Sequence, residues 1–242
     1  MPEGPSILHL RNKLLPFIGK MVKEAGGYGT MPTDWMNGKK LLDITTWGKH
    51  LLFRFVNGTV RVHLMLFGLI LINERRKVNR SFYIEFNDGE INGYVVKAEK
   101  LEGKPEDVYD WRIDVMSEHF NATHVKDLLK KQANKPIDDL LMNQNIFAGV
   151  GNKTRNEALY RAGIHPESIT GKIPVIKITK LINEVVKYSK LFYKNLETTG
   201  ENKDFTVYKQ AFAPDGSEVT MKVLPKSKRK IYFSQHRQQL YI

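Results

Sequence analysis

No cysteine occurs anywhere in the 242 residues, which excludes disulfides, a thiolate nucleophile and every zinc or iron–sulfur site built on cysteine. Long apolar runs are missing as well, and none reaches the ~18 residues of a membrane span. The start, MPEGPS, has neither a basic n-region nor an apolar h-region. These absences lead to the expectation of a soluble, intracellular protein without a membrane partner. Acids are in deficit: 26 Asp and Glu stand against 38 Lys and Arg, a formal charge of +12. In the 24 residues from Val219 onward there is no acid at all, beside six basic residues (Lys222, Lys226, Lys228, Arg229, Lys230, Arg237). Tyr232, Phe233 and Tyr241 interleave them. Excess charge by itself can serve solubility alone, but a basic stretch studded with aromatics favours a nucleic-acid partner.

What is present is an ordinary globular composition, 41% hydrophobic and 26% charged, long enough for one large domain or two smaller ones. Pro5 suits a first helical turn, and Ile7, Leu10, Leu14 and Leu15 recur at helical spacing until Pro16 stops the run. After Gly38, short apolar runs alternate with turn signals: LLDITTW, HLLFRFV before Asn57-Gly58, VRVHLMLFGLILI, and SFYIEF before Asn87-Asp88-Gly89. Asn-Gly and Asp-Gly pairs suit tight hairpins whose central residues take positive φ. An antiparallel sandwich or barrel over 1–116 follows. Over 117–202 the apolar period becomes 3.6 in ATHVKDLLKKQ, PIDDLLMNQ, NKTRNEALYRAG and VIKITKLINEVVKYSKLFYKNL. From Lys203 strands are expected again: FTVYKQAF, the turn Ala213-Pro214-Asp215-Gly216, EVTMKVL, a basic turn PKSKRK, and IYF. The class is α+β, in three parts: 1–116, 117–202 and 203–242.

Two segments carry chemistry. Pro2 directly follows Met1, and removal of the methionine would leave a secondary amine. Attack of that amine on an aldehyde-level carbon gives an iminium that stays cationic without a proton and drives β-elimination. With an unperturbed α-amino pKa near ~8, part of the amine is free at neutral pH. Glu3 beside it is a candidate general acid or base. The second segment, QNIFAGVGNKTRNEALYRAGIHP (144–166), sets a Gly-Val-Gly-Asn turn between helical patterns. Asn152 then falls at a helix N-terminus, where amides and the helix dipole favour phosphate.

MPEGP, WGKHLLF (47–53), HLMLFG (63–68), QNIFAGVGN…EALYRAGIHP and the basic C-terminal hairpin occur in one order along the whole chain. Together they resemble the formamidopyrimidine-DNA glycosylase and endonuclease VIII family of base-excision repair enzymes, closer to the endonuclease VIII-like branch. The resemblance implies an N-terminal β-sandwich with a flanking helix, a helix–two-turn–helix domain and a C-terminal finger. It implies a catalytic set of Pro2 as nucleophile, Glu3 as acid, and Lys49 as the sandwich lysine at the phosphate near the lesion. His63, Asn152 and Arg229 match phosphate-binding positions. Met65, Leu66 and Phe67 match the side chains that fill the gap left by an extruded nucleotide. The implied protein is a monomer acting on damaged double-stranded DNA, with single-stranded or bubble DNA as further forms. It needs no cofactor, and it sits with the nucleoid in the cytoplasm or, in a eukaryote, in the nucleus.

The sequence also departs from the family pattern. Ser234 and Arg237 stand where the last two zinc cysteines would be, so the finger is expected to be zincless. Ser6 replaces a usual glutamate. Lys153, Thr154 and Arg155 replace an apolar-aromatic stretch, so that helix is expected to meet phosphate more heavily. LETTGENKDFTVYKQ leaves little room for a loop that caps 8-oxoguanine, which tilts the substrate toward oxidised pyrimidines or hydantoins. A relative that binds abasic DNA without glycosylase activity, and an RNA-binding or ribosome-associated protein, are the alternatives.

Overall fold

The computed structural model describes residues 2–225 and 228–242; Met1 and, in the basic tail, Lys226 and Ser227 lie outside the described residues. Two compact units are formed, Met1–Asp110 and Trp111–Ile242.

The first unit contains α1 (Gly4–Leu14), β1 (Val22–Gly26), β2 (Asp43–Trp47), β3 (His50–Phe55), β4 (Gly58–His63), β5 (Leu69–Ile72), β6 (Phe82–Phe86), β7 (Gly89–Tyr94), β8 (Lys97–Leu101) and a short α2 (Pro105–Val108). Its strands make two antiparallel four-stranded sheets, ordered β1-β6-β7-β5 and β2-β3-β4-β8. Alternation decides which side chains enter. In β6, Phe82, Ile84 and Phe86 point inward while Tyr83 and Glu85 do not. They meet Leu51, Phe53 and Val62 of the other sheet in one core, with the Phe53 and Phe82 rings 6.4 Å apart. Phe53 is fully buried, so Phe53→Ala costs about 3–5 kcal/mol. Helix α1 adds Ile7 and Leu14 to that core and is tied to β2 by Arg11 Nε donating to the Ile44 carbonyl at 2.7 Å. The α-helix ends at Leu14, ahead of Pro16 as expected, and Pro16 itself sits inside a 3₁₀ turn, Leu15–Phe17.

Two expectations about this unit change. The apolar run 60–72 is not one strand: β4 and β5 belong to different sheets, with a turn between them. The hairpins after Phe55 and Phe86 are centred on Val56–Asn57 and Asn87–Asp88, since Phe55 pairs with Gly58 and Phe86 with Gly89. None of those four central residues has positive φ. Register follows the buried faces rather than the Asn-Gly and Asp-Gly pairs, because a one-residue slip would turn Phe53 and Val60 outward.

The second unit contains α3 (Ala122–Lys130), α4 (Ile137–Leu141), α5 (Asn152–Ala162), α6 (Val175–Thr199), β9 (Thr220–Val223) and β10 (Lys230–Phe233). Asn121 caps α3 by accepting from the His124 amide at 2.9 Å. Helix α5 ends at Gly163, whose φ of +73° gives the left-handed cap that glycine permits. Helix α6, flanked by the cap residues Pro174 and Gly200, buries Ile178, Leu181, Ile182, Val185, Ser189 and Phe192 along one stripe. No helix among the described residues is long and apolar enough to cross a membrane.

The expected strand FTVYKQAF (205–212) does not form; only Phe212 makes an isolated bridge, to Glu218. Its backbone finds another partner. The fully buried Glu157 carboxylate of α5 accepts from the amides of Thr206, Val207 and Tyr208 at 2.9–3.0 Å. Val207 is buried in a small cluster with Tyr160, Ala213, Val219 and Tyr232. A strand ladder is unnecessary where a carboxylate satisfies the donors.

Candidate functional site

Pro2 lies immediately before α1, partly buried, and Glu3 is the N-cap residue of that helix, extended at φ −128° and only 1% exposed. The Glu3 carbonyl accepts from the Ser6 and Ile7 amides at 2.8 and 3.1 Å. Pro5 has no N–H to satisfy, so the Gly4-Pro5 start leaves few free donors in the first turn. A carboxylate-bearing residue is thereby held in the interior next to Pro2.

Lys49 and His63 are brought to one end of the β2-β3-β4-β8 sheet. Gly48, at φ +55°, and Lys49 form the two-residue turn between Trp47 and His50, with glycine at the first central position as a II′ turn requires. His50 and His63 are cross-strand partners, and His63 also pairs with Lys97 on β8. Burial, helped by the charges of Lys49, Arg61 and Lys97, holds the His63 imidazole below its ordinary range. His50 is lowered further, to about 4, by burial first and then by His63 and Arg61. Glu99 bridges Arg61 at 2.5 Å and Lys97 at 2.6 Å. Trp47 stacks on Tyr109 at 4.5 Å and donates its indole N–H to the Asp110 carbonyl. His50, Arg61 and Lys97 escaped the sequence reading, although Arg61 and His63 share a strand face by their i, i+2 spacing. Seeing the rest required the register of three strands.

The Leu64–Gly68 segment is a turn, closed by the Gly68 amide on the Leu64 carbonyl at 2.8 Å. A Cβ on Gly68 would stand 2.2 Å from the Leu64 oxygen and 2.6 Å from the Val95 oxygen, so only glycine fits. Met65 takes φ +53°, and its sulfur lies 3.1 Å from His63 Nδ1. Met65, Leu66 and Phe67 all face solvent, Phe67 at 79% exposure.

In the second unit the Gly149–Gly151 turn is held by Gln144, whose amide donates to the Val150 and Met142 carbonyls while its oxygen accepts from the Gly149 amide. Asn152 is the first residue of α5, after the N-cap Gly151. The expectation that the Lys153-Thr154-Arg155 stretch lets this helix meet phosphate more heavily loses two of its three side chains to burial. Thr154 is buried, and Arg155 is 0% exposed, its guanidinium bonded to Asp138, Asn152 and the Lys230 carbonyl. Lys153 lies over the rings of Phe192 and Phe205. Arg229 is exposed at the end of the β9–β10 turn, where Leu224 donates to its carbonyl at 2.9 Å and Lys228 takes φ +54°.

With this geometry in view, comparison with known proteins is decisive. Residues 112–201 match the H2TH domain of formamidopyrimidine-DNA glycosylase. The formamidopyrimidine-DNA glycosylase of Shewanella denitrificans is 32% identical over 225 residues, 85% of this chain and 82% of that protein. The chain belongs to the formamidopyrimidine-DNA glycosylase and endonuclease VIII family. Endonuclease 8-like 3 of Bos taurus is 27% identical over 83% of this chain, but the match spans only 35% of that longer protein. Among solved structures, the Lactococcus lactis formamidopyrimidine-DNA glycosylase with DNA containing an abasic site superposes with a TM-score of 0.84, covering 98% of this chain and 99% of that one at 21% identity. A viral DNA glycosylase gives a TM-score of 0.85 at 20% identity, covering 98% and 100%. Both share the fold.

The zinc of the family's usual finger does not fit this chain. Ser234 is fully buried, with its hydroxyl 2.8 Å from that of Ser217 and its amide donating to Gln238. Arg237 lies over the Tyr160 ring at 4.8 Å. Gln238 in turn donates to the Ile164 carbonyl at 2.8 Å, and the Phe233 ring meets His165 edge-on at 4.4 Å. Hydrogen bonds at Ser234 and a cation–ring contact at Arg237 thus occupy the two positions aligned with the last zinc cysteines.

Proposed function

We propose that the protein is a bifunctional DNA glycosylase and abasic-site lyase that removes oxidised bases. The observation that carries the reading is the Pro2-Glu3 pair at the head of α1, with Glu3 buried as its N-cap. The names and similarity of the relatives support the glycosylase class.

With Met1 removed, the Pro2 nitrogen attacks C1′ of the damaged nucleotide, and the glycosidic electron pair leaves with the base, which takes up a proton. Glu3 protonates O4′ as the sugar ring opens, leaving an iminium between Pro2 and C1′. The cation acidifies C2′; loss of that proton expels the 3′ phosphate, and a second elimination expels the 5′ phosphate. Water then hydrolyses the iminium and frees Pro2. The positive end of the α1 dipole disfavours an ammonium at this position and so favours the nucleophilic amine. Lys49, His63, Asn152 and Arg229 hold phosphates, so their loss weakens binding with a strong salt dependence. Met65, Leu66 and Phe67 fill the space of the extruded nucleotide. The short segment after α6 and this apolar trio favour oxidised pyrimidines or hydantoins over 8-oxoguanine.

Borohydride trapping of Met-processed protein on a duplex with an abasic site tests the reading. A covalent complex is expected, with the reduced linkage mapped by mass spectrometry to Pro2 and absent in Pro2→Thr. Binding without trapping would replace the enzyme by a damaged-DNA-binding protein, and a preference for structured RNA would replace both.

A further inference from the structure

Three consecutive residues of α5 grip the C-terminal segment. Arg155 donates to the Lys230 carbonyl at 2.8 Å, Asn156 Oδ1 accepts from the Tyr232 amide at 2.8 Å, and Glu157 takes the amides of Thr206–Tyr208. Arg155 is the unusual member. A guanidinium is costly to bury, and an apolar side chain would fill the same space at lower cost. This one is fully buried and reaches three separate elements: Asp138 of α4 at 3.0 Å, Asn152 of its own helix, and Lys230 at the start of β10.

The bond to Asn152 has a chemical consequence. A guanidinium only donates, so it can face only the oxygen of the Asn152 amide. The Asn152 oxygen is therefore turned inward, and its NH₂ is left as the group available to an acceptor. A second donor, Asn156 Nδ2, is bonded to the Asn152 backbone carbonyl at 2.6 Å and lies 3.5 Å from Asn152 Oδ1, on the same side as the guanidinium. The bond to Lys230 fixes the residue that follows Arg229. Asp138 is also near enough to Arg229 to feel its charge. Both phosphate-binding positions of this unit thus adjoin one buried side chain.

We propose that Arg155 is a positioning residue that presents the Asn152 amide to phosphate and sets the Arg229 end of the hairpin, so that the two contacts act as a pair. It does not touch DNA. The inference rests on Asn152 and Arg229 being DNA contacts, as in the function proposed above.

The test is binding of a duplex carrying a tetrahydrofuran abasic analogue, over a salt series, by the wild type and by Arg155→Lys, Asn152→Ala, Arg229→Ala and the Arg155→Lys/Asn152→Ala pair. Lysine keeps the charge beside Asp138 and loses the fork that reaches Asn152 and Lys230 together. Arg155→Lys should weaken binding about tenfold and flatten the salt slope by about one phosphate, ~0.9 in log–log units. The same change should cost much less in the Asn152→Ala background. KM should rise with kcat at saturating DNA unchanged, because the chemistry belongs to Pro2. Equal losses in both backgrounds, or full affinity in a folded Arg155→Lys, would overturn the proposal. If Arg155→Lys fails to fold, the neutral Arg155→Gln/Asp138→Asn pair serves the same comparison. The underlying function fails separately: Asn152→Ala and Arg229→Ala would then leave binding untouched.

Discussion

His50 and His63 face each other across β3 and β4, edge to face, with ring centroids 5.3 Å apart. Two imidazoles so placed, beside Lys49, Arg61 and Lys97, are held neutral at physiological pH. The folded His50 takes its proton only near pH 4, whereas an unfolded chain does so near 6.5. As pH falls from 6.5 to 4 the unfolded state therefore binds more protons, and stability drops. The loss from His50 is at most about 3 kcal/mol, present in full by pH 4 and absent above 6.5. Urea midpoints at pH 7, 5.5 and 4.5 should decline steadily, and His50→Gln should flatten the decline. An unchanged slope in His50→Gln would show that other groups set it.

The Glu157 carboxylate replaces a strand ladder for residues 206–208. Glu157→Ala leaves three donors without that acceptor and should cost about 3 kcal/mol or more, while Glu157→Gln, which keeps one acceptor oxygen, should cost roughly half as much. Thermal melts and limited proteolysis between Lys203 and Phe212 would report the order of the three proteins. Equal stability of all three would mean that packing of Val207 alone holds the segment.

Gly68 and Phe67 are neighbours with opposite expected behaviour. Gly68→Ala drives a methyl against the Leu64 and Val95 carbonyls and should destabilise by about 2 kcal/mol or more. Phe67→Ala, at an exposed site, should change stability by less than about 0.5 kcal/mol. It should nevertheless slow excision from duplex DNA more than cleavage of a preformed abasic site, since only the first requires a base to be extruded. Paired single-turnover assays on the two substrates would expose any failure of that contrast.

Val95 is a β-branched residue at φ +55° and is 56% exposed. A left-handed backbone is unfavourable for such a side chain by roughly 1–2 kcal/mol, and asparagine tolerates it better. Val95→Asn should therefore raise stability by about 1 kcal/mol in chemical denaturation. Destabilisation instead would mean that the valine packs usefully against the Gly68 turn.

Periodicity and family motifs made much of the molecule legible. The alternation in FYIEF and the stripe along α6 each specify a buried face within a few residues. The string ending in RAGIHP placed the helix–two-turn–helix. What escaped depends on partners distant in sequence. FTVYKQAF reads as a strand because nothing local reveals that Glu157 will take its amides. Arg155 reads as a surface cation because its burial needs Asp138, Asn152 and Lys230 to converge. The two hairpin turns slipped by one residue because buried faces, not Asn-Gly chemistry, set their register.

The missing Cβ of Gly68 separates a frame from its cargo. Backbone contacts to Leu64 and Val95 dictate the path of the chain through this turn, while the three side chains it carries lie outside every core. Met65, Leu66 and Phe67 can therefore be exchanged at little cost to folding, without rebuilding the sandwich beneath them.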